Sequence, residues 1–232
     1  MLLCSRRGLK LRADHPLTGV KFARRFTYKT AWSWLHKLRA AMVRSDSEPL
    51  GPFVQADEAF VGGKGGIKEM VLVAAEANGR VRLAHVENND AATLKKFADG
   101  QIAAETEVVT DGHAGYNATS LAERPHDMIV QTKAERRVKD TLQGCHTTIS
   151  NLKRWLLGTH GGAVRGKYLQ AYLDEFVFRH NRRKTNGVGR IAGRVIEQLV
   201  TCPPLTMRKL IDDTKYYRWF GSALNVAPEL TA

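Results

Sequence analysis

Cysteine is scarce in this chain. Cys4, Cys145 and Cys202 are the only three in 232 residues, and no two of them stand at zinc-ligand spacing. That excludes a disulfide scaffold and a four-cysteine zinc ribbon built from this chain, and it makes a reducing compartment the expected one. Long apolar runs are missing too. No stretch approaches the roughly 18 residues of a membrane span, so no membrane partner is expected. Met1–Arg12 is too short and too basic to read as a secretory signal. Internal repeats and low-complexity segments are absent.

Acidic charge is the next shortage. Lys and Arg total 36 against 23 acids, a net charge of +13. Residues 1–50 carry 11 basic and 3 acidic side chains, residues 51–130 carry 7 and 12, and residues 131–232 carry 18 and 8. A mildly acidic middle thus lies between two basic flanks. The flanks suit a polyanion and the middle suits cations, so nucleic acid is the expected partner ahead of a merely basic surface.

Periodicity organises the rest. Thr27–Arg44 reads as an amphipathic helix with Ala31, Trp34, Leu35, Leu38 and Met42 on its apolar stripe. Ser45–Pro52 reads as a linker. Phe53–Phe60, Met70–Ala75 and Arg80–Val86 are three strand candidates, the last two joined by the hairpin signal Asn78-Gly79. Asp90 caps a predicted helix over 90–104. Glu107–Thr110 is a fourth strand ending at Asp111-Gly112, Leu121–Arg124 a short helical piece, and Met128–Thr132 a fifth strand. Helices follow over His146–Leu157, stopped by Gly158, then over Gly166–Arg183 and Arg190–Val200. The tail after Pro203 reads as short elements or coil. Short loops make the first three strands antiparallel, and helical crossovers make the fourth and fifth parallel to the first. The expected fold class is α/β: a mixed sheet of three antiparallel and two parallel strands, flanked by helices, with a short N-terminal helical segment.

Two acids interrupt otherwise apolar strands. Asp57 lies inside FVQADEAF, and Asp111 closes EVVTD. Taken singly, Asp111 is an ordinary Asp-Gly turn and Asp57 or Glu58 a solvent-facing strand residue. Taken together they stand side by side, because strands one and four are neighbours in the inferred topology. Adjacent carboxylates repel unless a cation lies between them, and a hard divalent ion with oxygen ligands is the natural partner. A third ligand is expected from the helix after strand five. His146 lies 35 residues after Asp111, and Lys153 seven further on lies on the same helical face. Asn151 faces about 140° away from His146.

This order and spacing resembles the DDE-type transposases and integrases. The strings ADEAFVGGK (56–64), TDGHAGY (110–116), SNLKRWLLGTH (150–160) and YLQAYLDEFVFRHNRR (168–183) resemble one bacterial insertion-sequence family, the fifteen-ninety-five group, in its XO-two-like subgroup. YKTAWSWLHKLRAAM (28–42) resembles the helix that precedes that family's catalytic domain. The resemblance implies an RNase H-like catalytic domain over 53–200, a remnant of a helical DNA-binding region over 1–45 and a C-terminal tail over 201–232. It implies a transposase that cuts and joins DNA, with a catalytically inactive DNA-binding remnant or an RNase H-like nuclease as alternatives. It implies Asp57, Asp111 and His146 as metal ligands, with Asn151 the second candidate for the third place, and Lys153 as the basic residue below them. Two ions, Mg²⁺ or Mn²⁺, are expected, His favouring Mn²⁺.

Lys153, Arg154, Arg179, Arg182, Arg183 and Lys184 are the expected DNA contacts. Glu175, Arg179 and Arg182 match a family signature that reads equally well as an i,i+4 ion pair. Relatives start with a Cys-rich zinc ribbon and a complete helix-turn-helix, so an N-terminally truncated copy is expected. The expected setting is a bacterial cytoplasm near the nucleoid, with a homo-oligomer acting on element ends and target DNA.

Overall fold

The computed structural model describes residues 27–43, 48–62, 68–76, 79–113, 115–117, 121, 124–161, 166–201 and 204–212. The unpatterned residues 1–26, Arg44 at the end of the first predicted helix, residues 45–47 of the linker, Asn78 of the hairpin signal, residues 122–123 of the short helical piece and everything after Asp212 lie outside them, as do Cys4 and Cys202.

Phe53–Val61 (β1) is the centre of a five-stranded sheet. Val54 and Ala56 bury one face of it and Ala59 and Val61 the other, because its apolar residues change phase at Asp57. Glu69–Glu76 (β2) runs antiparallel to it and Val81–Val86 (β3) antiparallel to β2. Glu107–Thr110 (β4) is parallel to β1, and His126–Met128 (β5) parallel to β4, giving the order β3-β2-β1-β4-β5. This is the mixed arrangement that the connection lengths predict.

The helices are Tyr28–Ala41 (α1), Ala91–Gln101 (α2), Lys133–Val138 (α3), Gln143–His160 (α4), Gly166–Asn181 (α5), Val188–Thr201 (α6) and Met207–Asp212 (α7). None of the helices among the described residues is long and apolar enough to cross a membrane. Period-two alternation splits the core in two. Val54, Ala56, Leu72 and Ala74 face α2 through Leu94, Phe97 and Ala98. Ala59, Val61, Val71, Val73 and Ala75 face α4 and α5 through Leu152, Leu156, Leu169 and Leu173. Each fully buried leucine contributes about 2 kcal/mol of transfer free energy.

Four expectations change. α4 runs through Gly158 and ends at Gly161, which takes the left-handed conformation at φ +64°. Gly158 has open space around it and costs the exposed face only about 1 kcal/mol of propensity. β5 begins and ends earlier than expected. β4 stops at Thr110 and pairs only with His126, Asp127 and Met128, so Val130 lies past the ladder, and on this edge strand Met128 and Val130 are both exposed. α3 was not anticipated, although Thr132-Lys-Ala-Glu135 is a capping box: Glu135 N–H donates to Thr132 Oγ1, and the Thr132 N–H donates to Glu135 Oε2 at 2.7 Å.

The fourth change concerns α1. Trp34 is 59% exposed, and the buried residues are His36, Arg39, Ala40 and Ala41. The partner helix decides this. Arg39 Nε donates to Glu175 Oε2 of α5 at 2.7 Å with both side chains buried. His36 sits among the rings of Trp32, Tyr168 and Tyr172. Burial, with Arg39 and His160 nearby, pushes the His36 pKa down to about 3. Leu38, Ala41 and Met42 join Ile191, Val195 and Leu199 of α6 on the other side.

Candidate active site

The site follows from where β4 stops. β1 and β4 are paired only from Phe53↔Glu107 to Gln55↔Val109. Carrying that register two residues further sets Asp57 level with Asp111, just past the carboxyl end of β4. β1 itself continues to Val61, so from Ala56 onward its β4-side edge is open. Asp111 is also the turn residue it resembles: its Oδ1 accepts from the His113 N–H at 3.2 Å, and Gly112 takes φ +86°. A Cβ there would lie 2.7 Å from Val130 Cγ2.

Around the open edge three carboxylates converge. Asp57, Glu58 and Asp111 each bring an oxygen within 4.8 Å of the others. Consecutive strand residues point to opposite faces. Asp57 belongs to the α4 face and Glu58 to the α2 face, where Tyr116 lies. They meet because no neighbouring strand separates them beyond the end of β4. Asp57 is only 8% exposed, and its Oδ1 accepts from the Glu58 N–H at 2.7 Å. The Glu58 side chain is nine-tenths buried, and its Oε1 has no hydrogen-bond partner among the described residues.

Both carboxyls are held above their usual range. For Asp57 the cause is burial, with Asp111 adding to it against the Glu58 N–H, His146 and Arg136. For Glu58 it is burial, with Asp111 and Asp57 adding to it against Tyr116 and His113. Burial and the Glu58 charge push the Tyr116 hydroxyl well above its ordinary value in turn. An all-oxygen donor set, crowded enough to resist ionisation and carrying a buried oxygen with no hydrogen bond, fits a hard divalent cation.

His146 borders this cluster from α4. Its Nε2 lies 3.6 Å from Asp57 Oδ2, and its Nδ1 donates to Asp140 Oδ2 at 2.7 Å. The first distance is too long for a hydrogen bond. It is close to the separation of two donors that share one ion, about 3 to 3.5 Å for bonds of about 2.1 Å. α4 reaches this position through a strand residue. Leu142, its N-cap, makes no side-chain cap bond. Instead Gln55 Oε1 accepts from the N–H groups of Gly144 at 2.8 Å and Cys145 at 3.3 Å, and Gln55 Nε2 donates to the Thr141 carbonyl at 2.8 Å. Cys145 Sγ donates to the Gln55 carbonyl at 3.2 Å. The first turn of α4 is thus tied to β1 two residues before Asp57.

The other expected residues are spread out. Asn151 is half-buried five residues beyond His146 on α4, and Lys153 and Arg154 are exposed on the same helix. The Glu175–Arg179 pairing exists as an ion pair at 2.7 Å, and Glu175 also holds Arg39. Arg182 lies over the Phe178 ring at 4.0 Å. Arg183 Nη1 donates to the carbonyls of Gly79 and His180, while Lys184 is exposed. Four residues near the site had not been singled out as site residues: Glu58, Asp140, Gln55 and Arg136, the last an exposed cation of α3 whose charge reaches Asp57. For Glu58 the signal was its adjacency to Asp57, and for α3 the capping box.

Among known families, the model described as the ISXO2-like transposase domain matches residues 49–181, from just before β1 to the end of α5. The matched span includes the three carboxylates, Asp140, His146 and Lys153. The sheet order and its flanking helices are those of an RNase H-like fold. No curated protein matches the chain.

Proposed function

Because the chain belongs to the ISXO2-like transposase family, a DDE-type family whose substrate is DNA, we propose that it cleaves DNA strands at element ends and transfers them to a target. The observation that carries this reading is the meeting of Asp57, Glu58 and Asp111 at the open edge of β1, where the buried Glu58 Oε1 has no hydrogen bond among the described residues and has His113 Nδ1 beside it, 3.9 Å away.

Asp57, Glu58 and Asp111 would hold two divalent ions, Mg²⁺ or Mn²⁺, with His146 as a nitrogen donor at the rim. Such ions supply charge neutralisation for the attacking and leaving oxygens of an in-line phosphoryl transfer. The chain's own residues do the rest. The Glu58 N–H orients Asp57 through the bond to Oδ1. Tyr116 and His113 face the Glu58 carboxylate from the α2 side. Burial on both sides of β1 keeps bulk water from screening the cluster. Arg136 of α3, whose charge reaches Asp57, and Lys153 and Arg154, exposed on the helix that carries His146, would contact the phosphates of a DNA strand rather than its bases.

The test is strand cleavage of duplex DNA carrying the element's own ends, in Mn²⁺ and in Mg²⁺. The wild-type chain is expected to nick and join. Asp57→Asn and Asp111→Asn are expected to retain DNA affinity and lose cleavage by several orders of magnitude. Cleavage that persists in excess chelator, or in Asp57→Asn, overturns the reading.

A further inference from the structure

The residue that faces the carboxylates from α4 is itself held by a carboxylate. His146 Nδ1 lies 2.7 Å from Asp140 Oδ2, and the two side chains are each about one-quarter exposed. Asp140 is anchored on its own side, because its Oδ1 accepts from the Leu142 N–H at 3.0 Å. One oxygen of Asp140 therefore fixes the turn that starts α4 and the other fixes the imidazole. A carboxylate at Nδ1 retains the proton there. That leaves the lone pair on Nε2, which is the nitrogen directed at Asp57 Oδ2, 3.6 Å away.

We propose that Asp140 is a positioning residue for His146: it selects the Nδ1–H tautomer and aims Nε2 at the divalent centre beside Asp57. The proposal rests on the reading of His146 as a donor to that centre. Histidines that ligate ions generally donate their other ring N–H to a carboxylate or carbonyl, and loss of that partner weakens the ion by about 10- to 100-fold. The alternative role for Asp140 is purely local, as the turn residue before α4, and it predicts no dependence on His146.

The two are separated with the full chain and Mn²⁺ alone, by measuring free Mn²⁺ by electron paramagnetic resonance for wild type, Asp140→Ala, Asp140→Asn, His146→Ala and the double variant Asp140→Ala/His146→Ala. Asp140→Ala is expected to weaken Mn²⁺ about tenfold, with Asp140→Asn, which keeps an acceptor, in between. In the His146→Ala background Asp140→Ala is expected to add no further loss. In parallel, ¹⁵N spectra of the imidazoles at alkaline pH are expected to show one Nδ1–H tautomer for His146 in wild type and a mixture in Asp140→Ala.

Equal losses in both backgrounds, or an unchanged tautomer, overturn the positioning role and leave the site reading intact. If His146→Ala binds Mn²⁺ as tightly as wild type, His146 is no donor, and the proposal falls with that reading. Asp57→Asn is the control for the centre itself: unchanged Mn²⁺ binding there removes the divalent site altogether.

Discussion

The side-chain oxygen of Gln55, on β1, lies 2.8 Å from the backbone nitrogen of Gly144, the second residue of α4. A strand residue two positions before Asp57 thus supplies the cap that the helix carrying His146 does not supply for itself. Strand and helix are registered at the point where their functional side chains meet.

Removing that cap is the first prediction. Gln55→Ala should cost about 1 kcal/mol, the usual worth of a helix cap, and lower the midpoint of thermal unfolding accordingly. Gly144→Ala should do the same by another route, since a Cβ at Gly144 would lie 2.7 Å from Gln55 Oε1. The double variant should be little worse than either single one, because both break the same bond. Additive losses in a thermal-denaturation cycle would show that Gln55 does not act through α4.

The second prediction concerns pH and metal together. Burial holds the Asp57 and Glu58 carboxyls above their ordinary values of 3.8 and 4.5, with Asp111 adding to the effect. An acid whose folded pKa is raised stabilises the fold fully below its unfolded pKa, and that contribution is lost as pH rises through the folded value. The metal-free chain should therefore lose stability from these two groups as pH rises from about 4 toward neutral, and Glu58→Gln should recover part of it at pH 7. A divalent ion reverses the sign, since it binds the ionised cluster. Saturating Mn²⁺, at 100 times its dissociation constant, should add about 2.7 kcal/mol near neutral pH and much less near pH 5. Equal increments at both values, in melts with and without Mn²⁺, would contradict the assignment.

The third tests how α1 is held. Arg39 and Glu175 are both buried, whereas Arg179 on the same carboxylate is 62% exposed. Arg39→Ala should destabilise by about 3 kcal/mol, because it leaves the buried Oε2 of Glu175 unpaired and only the exposed Arg179 on Oε1. Arg179→Ala should cost less than about 1 kcal/mol. Chemical denaturation of the two variants checks the contrast, and similar losses would mean that the two arginines share the carboxylate evenly.

DNA binding supplies the fourth. Lys153 and Arg154 are exposed on α4, while Arg183 is engaged with the Gly79 and His180 carbonyls. Replacing Lys153 or Arg154 by Ala should reduce the slope of log affinity against log salt by about 0.9 per lost phosphate contact. Arg183→Ala should change that slope less. A salt titration by fluorescence anisotropy, on a duplex of unrelated sequence, reads the difference directly.

Much of this molecule is determined by local pattern. Short apolar and alternating runs mark β1 to β4, three-and-four spacing marks the long helices, and short against helical connections decide which strands are antiparallel and which parallel. From these alone Asp57 and Asp111 become neighbours, and His146 and Lys153, the first of them 35 residues after Asp111, fall on one face of one helix. Pattern fails where a partner comes from far along the chain. Alternation sends Glu58 away from Asp57, and only the early end of β4 lets the two meet around an open edge. Gln55 looks like a polar strand residue until α4, 89 residues later, needs a cap. His36 and Arg39 look solvent-facing until α5 brings Glu175, Tyr168 and Tyr172 against them. The physical reason is common to all of these. Hydrophobic periodicity reports which side of an element is dry, whereas a polar group enters the dry side only when a specific partner satisfies it, and that partner is chosen by tertiary packing.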